Sequence, residues 1–79
     1  MENEPDDDLA QAERDVRECE QRIGDKAKLV ERLEAALQWE AADQAKATLV
    51  ALQEGLELAR TRVTVERAAR ASRQDRDNA

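Results

Sequence analysis

Cys19 is the one thiol of a 79-residue chain that contains no histidine. A thiolate nucleophile needs a base or a cationic neighbour to lower its pKa, and the usual base is missing. Cys19 also falls in a run of apolar positions spaced three and four apart, where cysteine behaves as a small hydrophobe. Metal sites built on imidazole or on paired thiolates are excluded by the same counts. Asp6, Asp7 and Asp8 could hold a cation loosely. Acids just after Pro5 are equally what a helix start favours, since they face the positive end of its dipole. Gly24 and Gly55 stand singly inside helical patterns, so no glycine-rich loop exists to cradle phosphate. No catalytic, cofactor-binding or metal-binding residue is assigned, and neither an enzyme nor a cofactor is expected. Trp39, the only aromatic residue, is of a type enriched in binding hot spots. Its bland alternative is a plug over the end of a core that has no other large side chain.

The elements that position these residues are helices. Charged residues make up 41% of the chain, and the apolar ones are mainly Ala, Leu and Val, a mixture typical of long helices and coiled coils. An acidic segment, 1–8, leads into an apolar seam at Leu9, Ala12, Val16, Cys19, Ile23, Val30, Leu33 and Leu37, interrupted only by Lys26. That 3–4 alternation is a heptad pattern, and it predicts a first helix over about 6–38. Glu13–Arg17 and Glu18–Arg22 have the spacing of supporting i,i+4 pairs. Continuing the register would place Glu40 and Gln44 in the seam. The apolar residues instead resume at Ala45, Leu49, Leu52, Leu56, Ala59 and Val63. The step from Leu37 to Leu49 exceeds a heptad by about five residues, which neither a stammer nor a stutter absorbs.

A chain that folds back resolves the break. A fold-back point near Ala41 sets Leu37 against Ala45, Leu33 against Leu49, Val30 against Leu52, Ile23 against Ala59 and Cys19 against Val63. It also joins opposite charges. Residues 1–20 hold nine acids against Arg14 and Arg17, whereas 60–79 hold six arginines against Glu66, Asp75 and Asp77. The fold expected is all-α: a two-helix antiparallel coiled-coil hairpin over 9–72, dimerising into a four-helix bundle. The turn is placed at about 39–43, the second helix at about 43–72 with Asp43 as its cap, and a frayed tail at 73–79. The absence of glycine or proline in that turn is what a single continuous helix would have in its favour.

The stretch AERDVRECEQRIGDKAKLVERLE (12–34), followed by TLVALQEGL (48–56), resembles a group of short uncharacterised alphaproteobacterial proteins with two helices and a short turn. The resemblance implies a hairpin and brings no activity, cofactor or site residue. Members often have a polar turn containing glycine, where Trp39–Ala42 stands here.

For function, the second helix carries the sharpest feature. Opposite its seam lie Ala47, Ala51, Leu58, Val65 and Ala68, a second apolar stripe that one hairpin cannot cover. A two-helix hairpin is too thin to be complete by itself, and self-association would cover the stripe. Gly55, costly inside a helix, would be justified by a close helix crossing or is simply tolerated there. The function expected is a non-catalytic protein–protein interaction module or small regulator, a homodimer with a further protein partner of unknown identity. One alternative is a small acidic inhibitor, phage-derived and anti-CRISPR-like, whose carboxylates imitate phosphate and block a nucleic-acid site on its target. Another is a Rop-like hairpin dimer that binds RNA, which would need the arginines exposed along one face. The net charge of −6 disfavours general nucleic-acid binding. A single cysteine and no long apolar run make a cytoplasmic, membrane-free location the expectation.

Overall fold

The chain, in a computed structural model, is described over residues 7–78, with side chains over 8–74. Helix α1 spans Asp7–Ala35 and helix α2 spans Trp39–Asn78, and the two pack against each other as a hairpin. The molecule measures 63 × 24 × 13 Å. Its long dimension is that of α2, since 40 residues at 1.5 Å each make a rod of about 60 Å.

The seam read from the sequence lies inward. Ala12, Val30, Ala45, Leu56 and Val63 are buried, while Leu9, Val16, Cys19, Ile23, Leu33, Leu49, Leu52 and Ala59 are half-buried between the helices. Ala42, outside the expected core, is buried as well. It extends the spacing of Ala45 and Leu49 one step towards the turn. Lys26, the polar interruption, is half-buried, as suits a side chain that lays its methylenes on apolar surface and keeps its ammonium in water. The core is thin: among the described residues no large side chain is fully enclosed.

Charge selects the antiparallel arrangement. With Leu9 and Leu49 written as heptad position a, position e of α1 carries Glu13, Glu20, Ala27 and Glu34. In α2 it carries Lys46, Gln53, Arg60 and Arg67. Every acid of the first set meets a base of the second: Glu34 with Lys46 at 2.7 Å, Glu20 with Arg60 at 3.6 Å, and Glu13 with Arg67 at 3.2 Å. On the other edge Arg62 donates to Asp15 at 3.4 Å. Exposed pairs contribute roughly 0–1 kcal/mol each, so they choose orientation and register more than they stabilise. Lys46 has its pKa raised above the ordinary 10.5 by its hydrogen bond to Glu34, then by the charge of Glu34 and, less, that of Asp43. A raised lysine pKa means a contribution complete below 10.5 and lost only as pH rises through the raised value. At neutral pH the pair near the turn is intact.

The turn lies at 36–38 rather than 39–43. The amide of Gln38 donates to the carbonyl of Leu33, and that of Leu37 to Glu34. This pair of bonds is a Schellman motif with Leu37 in the position that usually holds glycine. Leu37 adopts φ 61° and is 70% exposed, so it is a turn residue and not a member of the hairpin core. Gln38 also accepts the first bond of α2, from the amide of Ala42. Asp43 therefore lies inside α2 and does not cap it. Glu13, expected to pair with Arg17, reaches across to Arg67 instead. The tail expected to fray from residue 73 continues as helix through Asn78.

A left-handed leucine is strained by about 1–2 kcal/mol, because its Cβ crowds the following carbonyl. Leu37→Gly removes that strain and no buried contact. Its urea unfolding midpoint should rise, with a gain of about 1 kcal/mol in stability and an unchanged m-value.

Candidate interaction surface

The outward faces of the two helices differ in kind. That of α1 is polar, with Gln11, Arg14, Glu18, Gln21, Asp25, Lys28 and Arg32 exposed. That of α2 carries an apolar stripe from Ala47 to Ala68. Ala47, Ala51, Leu58, Val65 and Ala68, the expected second stripe, are all exposed, Leu58 by 73% and Val65 by 57%. They recur at heptad positions c and f, opposite the buried a and d positions, so an α-helix with both sets filled must leave one uncovered by a single partner.

Four residues of this face were missed in the sequence. Val50 is 53% exposed and widens the stripe beside Ala51; its adjacency to that alanine was the available signal. Thr48, Thr61 and Thr64 donate their hydroxyls to the carbonyls of Gln44, Glu57 and Arg60 one turn back. Hydroxyls satisfied within their own helix bring no unpaired donor into a contact. Between Ala47 and Ala68 the charges on this side are few: Glu54, Glu57 and Arg62.

Trp39 sits at the first turn of α2, 57% exposed beside the exposed Leu37. An indole so open does not plug the core, so the plug reading is set aside. Trp39 lies at the tip, one end away from Leu58 and Val65, and the structure does not join it to the stripe. Gly55 is not explained by the hairpin crossing either, since a methyl group built there would meet nothing within 4 Å.

The candidates for chemistry remain apart. Cys19 is a free thiol, half-buried in the seam. Among the described residues no group of three or more His, Cys, Asp or Glu could hold a metal ion; Asp6 and the side chain of Asp7 lie outside them. Two open grooves run along the hairpin. One is lined by Glu13, Val16, Arg17, Arg60, Val63, Thr64 and Arg67. The other lies between Leu29 and Leu52, with Arg22, Asp25 and Arg32 at its rim. No described helix is long and apolar enough to cross a membrane. No family model, curated protein or solved structure matches the chain.

Proposed function

We propose that the protein is a non-catalytic interaction module, a small cytoplasmic regulator that acts as a homodimer of hairpins and binds a further protein. The observation that carries this reading is the apolar outer face of α2, open along a molecule with little core. Its accessible surface is 5986 Å², against about 4,800 Å² for a compact monomer of 8.9 kDa. Its radius of gyration is 18.1 Å, against about 12 Å for a compact domain of this length. The excess area is of the order that a standard interface buries.

The two nucleic-acid readings have less support. Glu13, Asp15, Glu20 and Glu34 are tied to bases of α2, which leaves fewer free carboxylates to imitate phosphate. The same pairs turn Arg60, Arg62 and Arg67 towards acids of α1, which partly offset the charge an RNA-binding face would have to present.

Sedimentation equilibrium tests the proposal. At micromolar concentration the chain should sediment at about twice its monomer mass and dissociate on dilution, as an interface with Kd near 1 μM requires. A well-folded 8.9 kDa monomer throughout that range would reject the homodimer.

A further inference from the structure

We infer that the outer stripe of α2 is covered by α2 of a second copy running antiparallel, with the two-fold axis at Leu58. The inference rests on the homodimer proposed above and adds the orientation and register of its interface. About a two-fold axis, each residue faces the one equally far along the partner on the other side of the axis. With the axis at Leu58, the two Leu58 side chains meet. Ala51 faces the partner's Val65, and Val65 faces the partner's Ala51. Large then opposes small at both flanking layers, as interdigitation requires.

Charge fixes the same arrangement independently. Glu54 faces the partner's Arg62, and Arg62 faces the partner's Glu54, giving one opposite-charge pair on each side of the axis. Arg62 already touches Asp15 through one nitrogen at 3.4 Å, and a guanidinium has further N–H groups to donate. Parallel packing in register would instead set Glu54 on Glu54 and Arg62 on Arg62. The helix as a whole shows the same bias. From 39 to 57 it carries Glu40, Asp43, Glu54 and Glu57 against Lys46, and from 58 to 74 five arginines against Glu66. Antiparallel packing lays each half on its opposite.

Gly55 finds its reason here. It lies one turn from the axis, with open space where a Cβ would stand, so a neighbouring helix can approach the backbone closely beside Leu58. The axis also falls at the middle of Trp39–Asn78, which lets α2 pair over its whole length.

The test uses two full-length chains, each with Cys19→Ala. One carries Ala51→Cys and the other Val65→Cys, and both are checked first by circular dichroism and sedimentation. They are mixed in equal amounts and mildly oxidised. The mixed disulfide should exceed either homodisulfide by about tenfold, because same-site thiols would be about 20 Å apart along the axis. Predominant homodisulfides, or a dimer that forms none, would overturn the register while leaving the dimer standing. A monomer before oxidation would sink both. In a second arm, Glu54→Arg and Arg62→Glu should each weaken dimerisation by about tenfold, and the double variant should restore it. Failure of the double variant to recover would also overturn the pairing.

Discussion

Leu56→Glu should abolish most of the helical circular-dichroism signal at every protein concentration. Leu56 is the most deeply placed leucine of α2, 9% exposed, and it packs in the seam with Leu49, Leu52 and Val63. Removing its burial costs about 2–3 kcal/mol. Placing a carboxylate there adds a desolvation cost of several kcal/mol, which the half-buried Lys26 of α1 offsets only in part because its ammonium stays in water. A domain of this length has a total stability of only about 4–12 kcal/mol, and a core with no fully enclosed large side chain among the described residues belongs at the low end. The seam cannot absorb the substitution. Retention of the wild-type signal and urea midpoint by this variant would mean that the buried face has been misassigned.

Leu58→Glu with Val65→Glu should act differently, though Leu58 is only two positions away. Both side chains are more than half exposed in the single hairpin, so the hairpin itself loses little when they change. The dimer loses most of its apolar contact. Each of the two residues would return up to about 2–3 kcal/mol on full burial, and a two-fold axis uses each twice. Association spends a large part of that on lost translational and rotational freedom. Removing these contacts therefore takes affinity from micromolar to beyond millimolar, a loss of more than about 4 kcal/mol. The double variant should sediment as a monomer at concentrations where the wild type is a dimer. Its helicity should equal that of wild type diluted until it dissociates, well below that of the wild-type dimer. A double variant that dimerises as the wild type does would place the interface elsewhere.

The difference between these two leucines was legible in the sequence, because a 3–4 spacing assigns each apolar residue to a face before any coordinate is known. So was the charge match between the acidic start and the arginine-rich second helix. Glu13–Arg67, Glu20–Arg60 and Glu34–Lys46 all have Glu40 as their midpoint, one residue from the expected fold-back point at Ala41. The turn itself was misplaced for a physical reason. Helical side chains lean towards their own N-terminus, so partners in an antiparallel pair centre beyond the backbone reversal. Side-chain pairing therefore points past the bend at 36–38. No local signal corrected this, since Leu37 holds the left-handed place that glycine usually marks. Asp43 and Trp39 were drawn into the turn by the same shift. The threonines on α2 were overlooked because their residue type gives polarity, and only the hydrogen bonds show that it is satisfied internally.

The faces, the register and the interface all require that the chain folds back on itself. Spin labels at Glu18 and Thr64, two exposed sites outside the cross-helix ion pairs, measure this most directly when labelled chains are diluted into an excess of unlabelled protein. Pulsed dipolar spectroscopy should give an intrachain distance of about 20 Å, set by two adjacent helices and the label arms. A distance near 70 Å, the rise of one continuous helix over the same residues, would contradict the hairpin and everything built on it.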